Sequence, residues 1–242
     1  MDKDHIFKLA RGYSFLARNI MGGKMVNAAL DALAFMDYRM LVYLSMWHPD
    51  HDTRIKLLRK RGVQVGEHVF IDQGVWIEIT APQSVIIEDY SAIAFGAIIV
   101  AHDATVSHVI DLPVRIQETR LGYSSGVGMY SIVLPGVQIE EYGQTMAGSV
   151  VTKDVAAGTV VGGNPAEVKC GCEDIGLAWQ ADLPRRPDIY FDHPNPWRPP
   201  STPWDHLITW REDGIKVRQG SEMRTGTPFD YILDARAAKE NT

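Results

Sequence analysis

The sequence contains only two cysteines in 242 residues, Cys170 and Cys172. Two cysteines cannot build the disulfide framework of a small secreted domain, and a spacing of one intervening residue does not by itself define a metal site. We therefore expect a protein of the reducing cytoplasm that holds no metal.

Basic charge is also scarce, with 24 Lys and Arg against 30 Asp and Glu and a formal net charge of -6. No extended basic face is evident in the sequence, which argues against a nucleic-acid partner. The run KLLRKRG at 56–62 is interpreted as the solvated end of a helix rather than as a nucleic-acid patch.

Long apolar runs without charge are lacking as well. The most apolar stretch, MVNAALDALAFMDYRMLVYLSMWH at 25–48, carries two aspartates and an arginine, so it is not predicted to span a membrane. Such a helix could still lie on a membrane surface, but we favour packing against the end of the core or against a neighbouring subunit. Asp2, Asp4 and Lys8 interrupt any apolar run at the start, so no signal peptide is predicted.

What the chain does have is a six-residue period from Leu121 to Ala156. Its hexads read LGYSSG, VGMYSI, VLPGVQ, IEEYGQ, TMAGSV and VTKDVA, and five of the six begin with an aliphatic residue. A strand alternates every two residues and a helix every three to four, so neither explains this spacing. A period of six is typical of a coil built from three units, each with one short strand and one turn. The pattern predicts a mainly β protein with a left-handed parallel β-helix.

The repeat extends upstream of these hexads. Val65 opens one unit, and isoleucines at 71, 77, 87, 93 and 99 continue the pattern. Between Ala101 and Leu121 the period fails, which predicts a loop at 102–120 that leaves the coil. Insertions in solenoids fall on one face and often carry function. The alternative is a neutral surface excursion, but because the loop begins at His102 we favour a functional loop.

The pattern divides the chain into three regions. Residues 1–62 are predicted to be helical, because they are rich in Ala, Leu and Met, and to end in an Asp-capped helix that stops at Gly62. Residues 63–170 are predicted to form the β-helix. Residues 171–242 form a C-terminal extension rich in proline and tryptophan.

The extension is predicted to be ordered. Seven prolines lie between positions 184 and 203, yet the stretch is too aromatic for a disordered linker. The segment LITWREDGIKVRQG at 207–220 predicts a hairpin with Asp213-Gly214 as its turn, and YILDARAAKE at 231–240 predicts a closing helix.

The segment LPGVQIEEYGQTMAGSVVTKDVAAGTVVGGNPAEV at 134–168 strongly resembles the closing coils of the hexapeptide-repeat acyltransferases. That group includes galactoside, maltose, streptogramin and capsule-sugar O-acetyltransferases. The resemblance covers roughly residues 55–170 and is most specific in AGSVVTKDV (147–155), GGNPAEV (162–168) and AHD (101–103). It implies a homotrimer with active sites between subunits and an acyl-CoA, such as acetyl-CoA, in a groove between adjacent β-helices. It also implies a histidine at the insertion loop that deprotonates a small-molecule acceptor.

His102 is the predicted catalytic residue. An alcohol is a weak nucleophile near neutral pH, and histidine is well suited to accept its proton. Transfer can then be direct if the acceptor is held beside the thioester, so no covalent enzyme intermediate is required. The neighbouring Asp103 is expected to point elsewhere, because adjacent side chains of an extended chain face opposite ways.

The resemblance also assigns residues to the co-substrate. Thr152 and Lys153 match positions that contact the far end of CoA, where a lysine acts as a point charge for a phosphate. Met129 and Ala147 match positions along which the pantetheine arm lies. Glu167 departs from the family pattern, which commonly has an arginine at this place.

The acceptor is less well defined. In the galactoside and maltose enzymes an asparagine of the first coil touches the sugar, whereas this chain has Gly74 at that place with Asp72 beside it. Asp72 is the predicted substrate-binding residue, through a hydroxyl or amine of the acceptor; the alternative is that it is an ordinary turn aspartate. We expect an acyl-CoA-dependent O-acyltransferase that acts on a hydroxyl of a sugar or another small molecule. The alternatives are an N-acyltransferase for an amino sugar and a non-catalytic β-helix scaffold. Zinc chemistry of the γ-carbonic anhydrase type is not expected, because histidines are lacking in the coils after the loop.

Overall fold

The structure is a computed structural model, and it describes residues 38–192 and 195–219. The helical prediction for residues 1–37 and the closing helix predicted at 231–240 lie outside the described residues.

Short strands are the most numerous elements of the described chain, with a few helices at its ends and in the insertion. The strands before and in the insertion are β1 (Gln64–Val65), β2 (Phe70–Ile71), β3 (Trp76–Ile77), β4 (Val85–Ile87), β5 (Ala92–Ile93), β6 (Ile98–Ile99), β7 (His102–Asp103) and β8 (Arg115–Ile116). The later strands are β9 (Thr119–Leu121), β10 (Gly126–Val127), β11 (Ile132–Val133), β12 (Gln138–Ile139), β13 (Gln144–Thr145), β14 (Val150–Val151), β15 (Thr159–Gly162), β16 (Glu167–Gly171), β17 (Phe191–Asp192) and β18 (Arg218–Gln219). The helices are α1 (Tyr38–Trp47), α2 (His51–Arg61), α3 (Ser107–Ile110) and α4 (Cys172–Asp182).

Successive strands join three parallel sheets in turn, and each sheet is one side of a coil. Sheet A contains β1, β4, β9 and β12, sheet B contains β2, β5, β10, β13 and β15, and sheet C contains β3, β6, β11 and β14. Because the chain visits the sheets in the same order in every coil, equivalent positions stack on one another. In sheet C, for example, Ile77 pairs with Ile99, Ile99 with Val133, and Val133 with Val151. The prediction of a mainly β protein is confirmed.

The first place of each hexad faces the inside of the coil. Its five aliphatic members between 121 and 151 are at most 2% exposed, and each contributes roughly 1.5–3 kcal/mol by burial. Thr145, the polar member of this set, is buried as well, and its hydroxyl accepts the N–H of Gly128 at 3.0 Å. The six-residue period therefore marks the core.

Helix α2 closes the open end of the coil, and α1 packs against α2. Oδ2 of Asp50 accepts the N–H of Thr53 at 3.0 Å at the start of α2. Gly62 ends the helix in the left-handed region, with φ at +102°. The predicted Asp-capped helix that stops at Gly62 is confirmed.

Arginine side chains of α2 donate hydrogen bonds to backbone carbonyl groups of the first coil. Among the described residues, strands β1, β2 and β3 are the edge strands of the three sheets, and no described strand donates to their outer carbonyl groups. The guanidinium groups donate instead, one arginine to each sheet. The contacts are Arg59 to the Val65 oxygen at 3.0 Å, Arg54 to the Ile71 oxygen at 2.9 Å, and Arg61 to the Ile77 and Glu78 oxygens at 2.7 and 2.8 Å. The interpretation of KLLRKRG as a solvated helix end is wrong for Arg61, which is buried because it caps the coil.

The chain leaves the coil between β6 and β9. Strands β7 and β8 pair antiparallel, with His102 opposite Ile116, and the short helix α3 lies between them. Large aliphatic side chains of this loop are exposed to solvent: Val106, Val109, Ile110, Leu112, Val114 and Ile116. The coil resumes at β9, which pairs with β4 in regular parallel register. The insertion therefore leaves the stacking of the coils undisturbed.

A second compact unit begins at Glu173, after a first unit that ends at Cys172. In the second unit β17 and β18 pair in parallel. The prediction of a hairpin at 207–220 is wrong for the described residues 207–219. Asp213 and Gly214 do lie in a turn, but the strand after it, β18, pairs with β17 because that strand supplies the backbone partners.

We predict that Arg61→Met lowers the free energy of unfolding by about 2–4 kcal/mol. The substitution removes the donor to the Ile77 and Glu78 carbonyls and to the Ser45 hydroxyl, all at a buried place. Urea unfolding followed by circular dichroism measures the change. Lys56→Met on the exposed side of the same helix is the matched control and should change stability by less than about 0.5 kcal/mol. Equal losses for both variants would contradict the capping role.

Candidate active site

His102 lies at the corner where the chain leaves sheet C and the insertion begins. It follows the buried Ala101 and opens strand β7. Its side chain is 26% exposed, and its Nδ1 lies 2.7 Å from Oε2 of Glu78. A carboxylate therefore fixes the imidazole while part of the ring stays open to solvent.

The side chain of Glu78 is fully buried, and three backbone N–H groups donate to it. Ala101 donates to Oε2 at 2.9 Å, while Thr80 and Ala81 donate to Oε1 at 2.6 and 3.3 Å. Burial alone would raise the pKa of Glu78, but the hydrogen bonds from Ala101, His102 and the turn at 80–81 hold that pKa below its usual value. The carboxyl group is therefore charged near neutral pH.

The charge on Glu78 decides which nitrogen of His102 carries the hydrogen. A carboxylate only accepts hydrogen bonds, so Nδ1 of His102 is the protonated nitrogen and donates to Oε2. In the neutral imidazole, Nε2 then holds the free lone pair. Nε2 is thus the atom that can accept a proton from a bound group.

Glu78 is absent from the predicted site residues. Its equivalents in the following coils are Val100, Leu134 and Thr152, so an acid interrupts an otherwise uncharged column. The sequence VWIEIT does carry a signal, a single carboxylate in an apolar strand, and a buried charge requires partners. The identity of the partner could not be found from sequence, because Glu78 and His102 are 24 residues apart and meet only through the stacking of coils.

Asp103 points away from His102. Its carboxylate pairs with Arg115 at 3.0 Å and accepts the N–H of Thr105 at 2.9 Å. The prediction that Asp103 points elsewhere is confirmed. Its role in the structure is to close the base of the insertion, where β7 and β8 meet.

Thr152 and Lys153 lie at the same corner of the coil as His102. Both segments follow inward residues, Ile99 and Val151, of the same column in sheet C. Neighbouring coils are about 4.8 Å apart, so two coils separate the segments by about 10 Å along the axis. The side chains of Thr152 and Lys153 are exposed.

Met129, Ala147 and Asp72 lie at a different corner, between sheets B and C. They follow strands β10, β13 and β2 of sheet B, and the first two occupy equivalent places in adjacent coils. The Asp72 carboxylate accepts the N–H of Gln73 at 2.7 Å, as aspartates in turns commonly do. The structure brings Met129 and Ala147 together, but it does not bring Asp72 to His102 within one chain.

The outer face of sheet C, between these two corners, carries an open groove of about 580 Å³. Its aromatic lining comes from α1 and three successive coils: Trp47, Trp76, Phe95 and Tyr130. The lining extends to Val100, two residues before His102. This groove was missed from sequence, because its aromatic residues have no common spacing and meet only when the coils stack.

Membrane-spanning helices and metal-binding groups of side chains are both lacking in the described residues. Within 38–192 and 195–219, no helix is long and apolar enough to cross a membrane. In that same part of the chain, no three histidine, cysteine or acidic side chains are grouped so that they could hold a metal ion.

No family model matches the sequence. Among curated proteins, the chain is similar to "Putative acetyltransferase YvoF" from Bacillus subtilis strain 168, with 28% identity over 106 residues. That alignment spans 44% of this chain and 59% of the relative. The chain therefore matches somewhat more than half the length of this relative.

The solved structures that match the chain include acetyltransferases. A maltose O-acetyltransferase from Clostridium difficile is 20% identical with a TM-score of 0.46, over 55% of this chain and 83% of that one. A hexapeptide-repeat acetyltransferase from Vibrio cholerae, complexed with acetyl-CoA, is 21% identical with a TM-score of 0.48, over 60% and 89%. A galactoside acetyltransferase in complex with coenzyme A is 19% identical with a TM-score of 0.41, over 65% and 85%. The chain thus resembles hexapeptide-repeat acetyltransferases, and the ligands named here are those of the relatives.

We predict that Glu78→Gln lowers the free energy of unfolding by about 2–3 kcal/mol at pH 7, because an amide NH₂ replaces an oxygen that accepts buried N–H groups. The pKa of Glu78 is lowered in the folded state. Its charge therefore stabilises the fold above the unfolded-state pKa, and this contribution is lost as the pH falls through the folded-state pKa. The difference between wild type and variant should shrink when urea unfolding is repeated at pH 3.

The control for this measurement is Glu140→Gln, which changes an exposed carboxylate and should have little effect at either pH. A stability difference for Glu78→Gln that stays constant between pH 7 and pH 3 would contradict a charged carboxylate at this place.

Proposed function

We propose that the protein is an acyl-CoA-dependent O-acyltransferase, with acetyl-CoA as the donor and His102 as the general base. The proposal rests chiefly on one observation: Nδ1 of a partly exposed histidine lies 2.7 Å from a fully buried carboxylate at the mouth of the insertion. The similarity to a relative described as an acetyltransferase supports the reaction class. The proposal includes left-handed winding of the coil, as the six-residue period predicts.

In the proposed reaction, Nε2 of His102 accepts the proton of the acceptor hydroxyl as the oxygen attacks the thioester carbonyl. A C–O bond forms, the C–S bond breaks, and the imidazolium returns its proton to the departing sulfur. The reaction needs no oxidant and no covalent bond to the protein. Holding the two substrates side by side lowers the barrier further, because a bimolecular step becomes effectively intramolecular.

Glu78 is proposed as the positioning residue for His102. Its carboxylate holds Nδ1–H, which directs Nε2 away from the core, and its negative charge stabilises the imidazolium that forms during transfer. Because the carboxylate has three backbone donors of its own, it stays fixed when His102 changes charge. Preorganised charge of this kind needs little reorganisation during the reaction.

The residues at the same corner fit the co-substrate. Lys153 is exposed on a turn two coils from His102 and would supply a positive charge for a phosphate of CoA. Thr152 beside it offers a hydroxyl. Met129 and Ala147, at the next corner, would lie along the pantetheine arm through backbone groups.

A second copy of the chain is proposed to complete the site. The proposed residues occupy two corners on either side of sheet C, so one chain cannot place Asp72 beside His102. In a closed homotrimer, one corner of each copy would face the other corner of its neighbour. Asp72 of one copy would then contact an acceptor at His102 of the next.

Two alternatives lead to different expectations. An N-acyltransferase for an amino sugar would use the same His102 and Glu78 pair, and the acceptor alone would distinguish it. A non-catalytic scaffold is less well supported, because the backbone role of Glu78 does not account for its contact with a partly exposed histidine at the mouth of the insertion. Measured transfer to matched alcohol and amine acceptors decides among the three.

We predict that His102→Ala lowers the rate of acyl transfer by about a hundredfold to ten-thousandfold, the range for loss of a positioned base. The residue lies outside the buried column of aliphatic residues, so the fold and the affinity for CoA should be nearly unchanged. Steady-state kinetics and calorimetric titration with CoA measure the two properties. His206→Ala, which changes an exposed histidine of the second unit, should leave the rate unaltered. Full activity of the His102 variant would end the general-base proposal.

Lys153→Ala should weaken CoA binding by about 1–2 kcal/mol, because a charge-assisted contact with a phosphate is lost. Most of the loss should disappear for a donor analogue that ends at pantetheine and carries no nucleotide. Calorimetric titration compares the two ligands, with Lys56→Ala on helix α2 as the charge-matched control. Equal losses for both ligands would show that Lys153 does not contact a nucleotide phosphate.

The homotrimer predicts about three chains per particle in multi-angle light scattering at enzyme-assay concentrations. Activity should fall on dilution in step with the loss of that particle, because isolated chains lack a complete site. A monomer with undiminished activity would contradict the shared site.

A further inference from the structure

We propose that the groove on the outer face of sheet C binds the acceptor, and that this acceptor is an alcohol attached to an aromatic ring. This inference rests on the proposed acyltransferase function and specifies its substrate class. The groove is an additional binding site beyond the residues predicted from sequence.

The geometry of the groove suits a flat apolar body. Its rings meet edge to face: Trp47 and Phe95 have centroids 6.4 Å apart at 70°, and Phe95 and Tyr130 have centroids 5.5 Å apart at 87°. Rings that meet in this way leave aromatic faces open for a further ring. A volume of about 580 Å³ lies within the ordinary range of small-molecule sites.

The chemistry of the lining also favours an aromatic ligand over a sugar. Of the described residues that line the groove, none is charged, and the polar side-chain groups among them are the Tyr130 hydroxyl and the indole N–H groups of Trp47 and Trp76. Sugar hydroxyl groups turned toward this lining would find few hydrogen-bond partners there, which costs free energy. An aromatic ring has no such requirement.

The groove leads toward the proposed base. It begins at the corner around Gly96 and runs across the strand to Val100, which is about 13 Å in an extended chain. His102 is two residues further on, about another 7 Å. A ring-bearing alcohol in the groove would therefore point its hydroxyl toward His102.

A second apolar surface begins beside His102, where Ile116 of the insertion pairs with it. The insertion exposes six large aliphatic side chains between Val106 and Ile116, which is unusual for a loop in contact with water. The proposed base thus lies between an aromatic groove and an aliphatic loop. An acceptor with an apolar body would contact both surfaces.

Tyr130 stands at a corner where three other coils have glycine: Gly74, Gly96 and Gly148, with φ near +70°. Tyr130 itself has φ of +57°, in the left-handed region that glycine adopts most readily. Its ring lies over Gly96, where an added Cβ would be 2.6 Å from Cε1 of Tyr130. Glycine would satisfy the backbone here, so the ring itself is what this position supplies.

The test uses Tyr130→Gly, which installs the residue that the other coils have at this corner and so should fold without strain. Its matched control is Tyr142→Gly, because Tyr142 has φ of +58° but lies at the corner between sheets A and B, away from the groove. Tyr130→Phe retains the ring and should behave like the wild type. The probe is 2-(2-naphthyl)ethanol, compared with ethanol, which has the hydroxyl but no ring.

Calorimetric titration of the full chain with 2-(2-naphthyl)ethanol, without any acyl donor, should show binding that Tyr130→Gly weakens about tenfold. The control variant should bind the probe like the wild type. With acetyl-CoA present, the wild type should acylate the naphthyl alcohol with a lower KM than ethanol, and Tyr130→Gly should raise that KM without changing the KM for acetyl-CoA.

Each other outcome identifies a different failure. Binding of the probe without any acyl transfer would support the groove and contradict the proposed function. Transfer that does not distinguish the two alcohols, or equal effects of Tyr130→Gly and Tyr142→Gly, would overturn the groove proposal alone. A change in particle mass in light scattering for Tyr130→Gly, with no binding of the probe to the wild type, would assign the groove to contact between copies and also overturn it.

Discussion

The hydrogen bonds between successive coils are the constraint on which the rest of the structure depends. Each short strand is too small to be stable by itself and gains its partners only from the coils before and after it. The inward aliphatic column keeps those partners in register, because a shift of one residue would turn the buried side chains to solvent. Residues 18 positions apart, such as Val133 and Val151, thereby become neighbours. Every surface of functional interest is assembled by this stacking.

A stack of this kind must be closed at its ends and must accommodate whatever interrupts it. At the first coil, the guanidinium groups of Arg54 and Arg61 occupy the place of a missing strand. At the insertion, the carboxylate of Glu78 receives the N–H groups of Ala101 and of the turn at 80–81. Both solutions bury a charge and surround it with hydrogen-bond partners, which is the condition under which buried charge is tolerated. In the second case, Oε2 accepts from Ala101 and still has room to accept from a histidine.

The proposed chemistry follows from the arrangement of hydrogen-bond donors around Glu78. A carboxylate fixed by the backbone can hold His102 in one tautomer, with Nε2 facing outward, and the coil presents Lys153 at the same corner. The groove beside this corner has an aromatic lining, and one of its rings, that of Tyr130, takes a backbone conformation that glycine adopts elsewhere in the coil. Strained residues persist where the surrounding structure and a function maintain them. The His102–Glu78 pair and the aromatic groove together favour an acceptor that combines a hydroxyl with an apolar ring.

The sequence by itself determined the elements that depend on local pattern. The six-residue period identified the buried column, and the failure of that period located the insertion. Asp50 and Gly62 bounded helix α2, because helix caps depend on residues close in the chain. The tertiary structure alone decided which distant side chains meet. Glu78 meets His102, and the rings of the groove meet one another, across coils whose lengths differ. No fixed spacing in the sequence therefore predicts these contacts. The buried state of Arg61 was hidden for the same reason: an arginine at a helix end is normally solvated, and only the open edge of the first coil gives it buried acceptors.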